Sequence, residues 1–141
     1  MISCTRIIEF DCGHRVIGHE GKCRNLHGHR YKLHATFECQ ELDSLGRVVD
    51  FSVIKKLLGG WIDENFDHTC ILSTQDRELG DQITQITSQK IYYIDSNPTA
   101  ENIAKYIFEN IIPTLFPENS GLKCKKLTIF ETPNCYAEIA D

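Results

Sequence analysis

The chain is poor in the residues that break or loosen structure. Among 141 residues there are 9 glycines and 4 prolines, which excludes a collagen-like or linker-rich architecture. No apolar run is long enough to span a bilayer, so no membrane role is expected. The opening residues, Met1 to Arg6, lack a basic segment followed by an apolar one, so no signal peptide is expected either. Cysteine is present but without pattern. Cys4, Cys12, Cys23, Cys39, Cys70, Cys124 and Cys135 include no C-x-x-C pair, which excludes a zinc ribbon or a thioredoxin-like motif. An odd count without an export signal predicts free thiols in a reducing cytoplasm, most of them packed as small apolar residues. Positive charge is in short supply. Lys and Arg total 15 against 20 Asp and Glu, a formal net charge of −5, so nucleic acid is not an expected partner.

What remains is the mix of an ordinary globular protein, 41% hydrophobic and 25% charged, enough for a single domain over residues 1–141. Residues 2–12 alternate as a strand, with Ile2, Cys4, Ile8, Phe10 and Cys12 in step. A long loop, Gly13 to Gly28, follows. His29 to Cys39 alternates again, with His29, Tyr31, Leu33, Ala35, Phe37 and Cys39 on one face. Asp43 to Gly46 reads as a turn. Residues 51–65 predict a helix with Val53, Ile54, Leu57, Leu58, Trp61 and Ile62 as its stripe. Gly59-Gly60 conflicts with that helix by up to about 1 kcal/mol per glycine, and close approach to a neighbour would explain it. Residues 71–96 are harder to read, with a short helix near Asp76–Gln85 and a strand near Lys90–Ile94. Thr99 is placed to cap a helix over Ala100–Leu115, with Glu101 in its first turn and Pro113 near its end. A hairpin closes the chain, Leu122–Glu131 and Cys135–Ala140 around Thr132-Pro133-Asn134. The clear elements predict an α+β fold, a four-stranded antiparallel sheet with two helices on one face. Its bare edges invite assembly.

Reactive side chains concentrate at His14, Cys23, His27 and His29. His27 and His29 stand two apart, so an extended backbone sends both imidazoles to the same face. His14 approaches the same point if the two strands pair. Three histidines with an open fourth position suit catalytic zinc. Cys23 is either a fourth ligand that closes the site or a nearby thiolate favoured by the metal, Lys22 and Arg24. His19 and His34 carry no such signal. Asp67-His68, after the helix, pairs a carboxylate with an imidazole and suits proton transfer. Glu131 ends an apolar strand row of Leu127 and Ile129. Such a carboxylate is a solvated strand end or an acceptor for the paired N–H groups of a guanidine-like heterocycle.

The blocks Phe10-Asp11-Cys12-Gly13-His14-Arg15, Cys23-x-x-x-His27-Gly28-His29, Val49-Asp50-Phe51, Phe66-Asp67-His68, Asn97-Pro98-Thr99-Ala100-Glu101-Asn102 and Phe130-Glu131-Thr132 together resemble the 6-pyruvoyl- and 6-carboxy-tetrahydropterin synthase family. The resemblance implies the tunnelling fold, with a twelve-stranded barrel per trimer and two trimers stacked as a homohexamer. It implies Zn2+ held by His14, His27 and His29, and Cys23 as proton acceptor. Asp67 and His68 are then its acid/base partners, Glu131 grips the pterin ring, and Thr99 lies near it. The usual second threonine is replaced by Ala100. Lys22, Arg24 and Lys123 are the cations available for a triphosphate. Three residues between Cys23 and His27 resemble the queuosine-pathway members. That implies a lyase converting 7,8-dihydroneopterin triphosphate to 6-carboxy-5,6,7,8-tetrahydropterin, acetaldehyde and triphosphate. Two other readings stand beside it. One is 6-pyruvoyl-tetrahydropterin formation on the same substrate. The other is a non-catalytic zinc-stabilised binding protein with Cys23 closing the metal site.

Overall fold

Two long stretches of alternating apolar and polar residues pair to form the centre of the molecule. In the computed structural model, which describes residues 1–141, β1 (Ile2–His14) and β2 (His27–Cys39) run antiparallel over their whole length. β3 (Thr69–Ser73) and β4 (Ile91–Ile94) add on the β1 side as parallel strands, and β5 (Lys123–Thr132) and β6 (Cys135–Ala140) add on the β2 side as an antiparallel hairpin. The result is one six-stranded sheet in the order β4-β3-β1-β2-β5-β6.

Helix α1 spans residues 51–65, α2 is Arg77–Thr87 and α3 spans residues 100–115. Asp50 caps α1 by accepting from the Ser52 N–H at 2.9 Å, and Thr99 caps α3 by accepting from the Asn102 N–H at 3.1 Å. Both α1 and α3 contain one π-helical turn, Lys55–Gly59 and Ile107–Ile111. Their apolar stripes, including Ile54, Leu58, Ile62, Ile103 and Ile107, cover one sheet face and pack on Phe10, Tyr31, Leu33, Phe37 and Leu127, all fully buried. The other face of the β1–β2 ribbon is ionic. Arg30 pairs with Glu9 and Asp11, and Lys32 pairs with Glu9. No helix is long and apolar enough to cross a membrane.

This architecture corrects the expected four-stranded sheet with two helices. The α+β class stands, but the sheet has six strands and the chain three helices. The additional unit is β3-α2-β4, a strand–helix–strand crossover joining parallel strands. β3 is short and buried throughout, so it lacks the alternation that marks β1 and β2, and β4 is an edge strand of only four residues. The paired strands are also longer than the sequence suggests. Ladder pairing carries β1 to His14 and starts β2 at His27, which shortens the expected Gly13–Gly28 loop to residues 15–26. Close approach does not explain Gly59-Gly60: an added Cβ would meet only ordinary contacts at Gly59, the nearest at 3.7 Å, and nothing at Gly60.

Pairing also leaves edges. β3 touches β1 only at Cys12–His14, so residues 2–11 of β1 have no strand on that side. β6 ends the sheet at the far side.

Candidate active site and metal centre

The β1–β2 register sets His14 opposite His27, and Cys12 opposite His29. On both strands these histidines continue the row that faces the helices, so three imidazoles meet at the end of the core. His14 is 1% exposed. Its Nδ1 lies 2.7 Å from the Pro98 carbonyl, and the His27 Nδ1 lies 2.6 Å from the Asn25 carbonyl. A carbonyl only accepts, so both Nδ1 atoms carry the hydrogen and both Nε2 atoms present lone pairs. Those two Nε2 atoms face each other across 3.1 Å. Only a proton or a metal cation between them relieves that opposition. Burial lowers the pKa of His14 and His29, which disfavours the proton and favours the cation.

Glu131 completes the group. β5 and β6 shift register between Phe130 and Thr132, leaving Glu131 as the bulged residue, and a bulge re-aims the side chain it carries. Its Oε1 lies 2.9 Å from His29 Nε2 and 3.7 Å from His14 Nε2. The short contact is out of line for a hydrogen bond, so the buried His29 Nε2 has no hydrogen-bond partner. Ligand atoms of His14, His27, His29 and Glu131 all lie within 4.8 Å of one another. Three imidazoles are a donor set that fits catalytic zinc, with Glu131 as the one carboxylate beside them.

Cys23 is outside that group. It sits half-buried in a 3₁₀ turn, Lys22–Arg24, and its carbonyl accepts from the Val16 N–H at 2.9 Å. The next residue, Ile17, is held by Asn97, whose amide donates to the Ile17 carbonyl at 3.0 Å and accepts its N–H at 2.9 Å. The loop bearing Cys23 is thus tied to the start of α3, where Pro98 orients His14. Among the other thiols, burial pushes Cys12 and Cys124 up to about 12, as befits packing residues.

Asp67 and His68 form a second cluster. His68 Nδ1 lies 2.9 Å from Asp67 Oδ2, and Asp67 Oδ1 accepts from the Asp11 N–H at 2.9 Å. His68 has a left-handed backbone, φ 60°, with its N–H donated to the Asp11 carbonyl at 2.7 Å. The Asp67 hydrogen bond raises the His68 pKa. Burial would raise the Asp67 carboxyl, but the Asp11 amide and His68 together hold it below its ordinary value. The cluster groups with the Asp11 carboxylate. Asp11 belongs to the ionic row of β1, so the pair lies across the ribbon from the imidazole nitrogens. A cleft of about 500 Å³ opens there, lined by Asp11, Gly13, Gly28, Arg30, His68 and Gln89 among others. Gly13 is needed at its floor, because a Cβ would lie 2.9 Å from Cys70 Sγ.

Thr99 spends its hydroxyl oxygen on the α3 cap, and Glu101 is exposed in the first turn. Sequence reasoning missed the carbonyls of Pro98 and Asn25, the Asn97 clamp, and the bidentate pair of Arg15 with the 4%-exposed Asp76. The block Asn97-Pro98-Thr99 was the available signal for the clamp.

The profile of 6-pyruvoyl tetrahydropterin synthase matches residues 3–141. The chain belongs to the 6-pyruvoyl tetrahydropterin synthase family. Within it, a Rickettsia bellii protein named 6-carboxy-5,6,7,8-tetrahydropterin synthase is 53% identical over 139 residues, covering 99% of this chain and all of that protein. A Haemophilus influenzae protein of the same name is 31% identical and covers 98% of each. Among solved structures, an uncharacterized Wolinella succinogenes protein superposes with a TM-score of 0.80 at 23% identity, covering 99% of this chain and 98% of that one. The Caenorhabditis elegans 6-pyruvoyl tetrahydropterin synthase gives 0.70 at 23%, covering 99% and 95%. These two show a shared family fold.

Two outcomes follow from the geometry. His27→Ala removes one of the opposed nitrogens, so zinc titration monitored by calorimetry should lose the tight site expected of the unaltered chain; undiminished affinity would refute the donor set. Asp67→Asn keeps an oxygen for the Asp11 N–H but removes the charge. The His68 ring, followed by NMR, should then lose its proton at a lower pH than in the unaltered chain, and equal midpoints would disprove the pairing. The sign follows from the two directions: the pair's contribution to stability is full between the ordinary carboxylate and imidazole pKa values, fades as pH rises through the raised folded-state pKa of His68, and is lost as pH falls through the lowered one of Asp67.

Proposed function

We propose that the chain is a zinc-dependent 6-carboxy-5,6,7,8-tetrahydropterin synthase. The observation that carries the reading is 50–53% identity over 139 residues to four Rickettsia proteins of that name. The substrate is 7,8-dihydroneopterin triphosphate. With one water it yields 6-carboxy-5,6,7,8-tetrahydropterin, acetaldehyde and triphosphate, a lyase reaction that serves queuosine biosynthesis in the cytoplasm.

His14, His27 and His29 hold the Zn2+, which supplies Lewis-acid polarisation to the hydroxyls of the substrate side chain. Cys23 acts as a thiolate and takes a proton from that side chain. His68, whose proton Asp67 favours, delivers one at the neighbouring carbon. Loss of triphosphate and cleavage of a carbon–carbon bond follow. Glu131 takes the paired N–H groups of the pterin's guanidine-like edge. Its place beside the histidines, as the one carboxylate there, supports that role. Thr99 lies near the ring: its oxygen accepts from the Asn102 N–H as the helix cap, which leaves its O–H free to donate to the substrate. The separation of Cys23 from the metal group speaks against a closed structural site.

The acid pair and the metal group occupy opposite faces of one ribbon, which supports a pocket assembled from more than one subunit. Residues 2–11 of β1 and the whole of β6 are the free edges available for such joining. We assign them to a trimeric barrel of the antiparallel strands, two trimers forming the homohexamer.

Mass analysis after incubation with dihydroneopterin triphosphate should show the 6-carboxy product and acetaldehyde. A 6-pyruvoyl product would establish the sister activity instead, and unchanged substrate would refute both. In the same assay Cys23→Ala should lose about 10²- to 10⁴-fold in turnover, the usual worth of a general base, with zinc content unchanged. Loss of zinc in that variant would make Cys23 a ligand. Sedimentation equilibrium should report a hexamer, and an active monomer would overturn the shared pocket.

A further inference from the structure

The β3-α2-β4 unit has no assigned role, yet its last turn reaches the acid/base pair. Ser88 closes α2 in the left-handed conformation, φ 62°, with its N–H on the Thr84 carbonyl at 2.8 Å. Gln89 follows and is fixed at both backbone ends. Its N–H donates to Thr87 Oγ1 at 3.1 Å, and its carbonyl accepts from Thr84 Oγ1 at 2.9 Å. From that fixed point the Gln89 side-chain amide donates to the His68 carbonyl at 3.2 Å. Lys90, next in sequence, donates to the Glu64 carbonyl at 3.2 Å and to Asn65 Oδ1 at 3.0 Å. Both are at the end of α1, immediately before the turn that carries Asp67 and His68.

We infer that Gln89, with Lys90, is a positioning residue for His68, and that holding the Asp67-His68 turn is what the β3-α2-β4 unit contributes to the site. The need is physical. His68 is a non-glycine residue at positive φ, a conformation that persists only where surroundings over-determine it. Its imidazole is largely exposed and rests only on Asp67. Its N–H is held by the Asp11 carbonyl on one side. Gln89 holds the carbonyl on the other, in a peptide unit whose N–H, that of Thr69, donates to the Phe66 carbonyl at 3.1 Å, so the peptide units on both sides of the residue are pinned. Without the Gln89 bond the His68 carbonyl loses its hold and the ring drifts from the reacting carbon. A misplacement of about 1 Å can cost about 10²-fold in rate.

The inference rests on the proposed synthase reading for its activity arm, so a second arm is independent of catalysis. Gln89→Glu keeps the size of the side chain but carries no donor at pH 8, whereas Gln89→Lys keeps a donor. Turnover of dihydroneopterin triphosphate should fall roughly 10- to 100-fold in Gln89→Glu with KM nearly unchanged, the range expected of misplacement rather than of lost binding. Gln89→Lys should recover most of it. Amide exchange at His68, whose N–H bonds Asp11, should accelerate in Gln89→Glu and return in Gln89→Lys, while exchange along β1 and β2 stays constant. Should the unaltered chain lack synthase activity, the exchange arm alone still decides the brace. Exchange at His68 unchanged in Gln89→Glu, or equal losses in both variants, would overturn the inference.

Discussion

The antiparallel pairing of β1 with β2 sets where three imidazoles sit, and the remainder of the site is arranged around that pairing. Side chains alternate with period two, so His14 facing His27, with His29 two residues on, is a consequence of one register. A slip of β2 by one residue would send His27 and His29 to the ionic face, away from His14, and would turn Tyr31 and Leu33 out of the core while Arg30 and Lys32 turned in. The burial of those apolar residues therefore enforces the alignment of the ligands. Each fully buried aromatic or leucine is worth on the order of 1.5–3 kcal/mol, and several change side together. Hydrophobic stability and metal geometry are in this sense the same constraint.

Burial also explains why a cation suits the site. Imidazoles at the end of an apolar row are poor places for a proton, and the carbonyls of Pro98 and Asn25 have already consumed the hydrogens of two rings. The nitrogens left over are lone pairs with no donor to meet them. In a low-dielectric pocket such unpartnered acceptors are costly. Glu131 brings a negative charge to the same spot, and the bulge that aims it lies in the last ladder step before the β5–β6 turn. The Asn97 clamp fixes the other wall, so the loop carrying Cys23 is anchored although few of its side chains are buried.

Much of this was readable from the residues alone. His14, His27 and His29 declare themselves by spacing on strands whose alternation is strong. Asp67 and His68 are adjacent, and a turn after a helix permits them to pair, though the dipeptide alone is a weak signal. The α+β class follows from the same periodicities. The strand β3 was not readable, because Thr69–Ser73 is buried throughout and gives no period to detect; the helix expected near Asp76–Gln85 and the strand expected near Lys90–Ile94 are present as α2 and β4, but four residues do not announce their place in the sheet. Glu131 could be suspected as a buried acceptor, but its reach to the histidines depends on a bulge that no local pattern announces. Carbonyl partners such as Pro98 are invisible for a deeper reason: a backbone oxygen has no residue signature, and its use is decided by tertiary approach.

The sheet divides the proposed chemistry between its two sides. Proton removal and proton return at neighbouring carbons call for a base and an acid reaching the substrate from different directions. One ribbon, with nitrogens on its covered face and the Asp67-His68 pair on its ionic face, aims the two groups in opposite directions, and on the proposed assembly a second copy would supply the complementary group. The free length of β1 begins three residues before His14, on the same edge that β3 occupies at Cys12–His14. Strand pairing along that edge brings foreign side chains to within a few residues of Asp11 and the turn bound to it. An edge that would otherwise be a liability for aggregation is thus adjacent to half of the proposed catalytic machinery. On the proposed assembly, the incompleteness of the sheet and the incompleteness of the site have a common remedy.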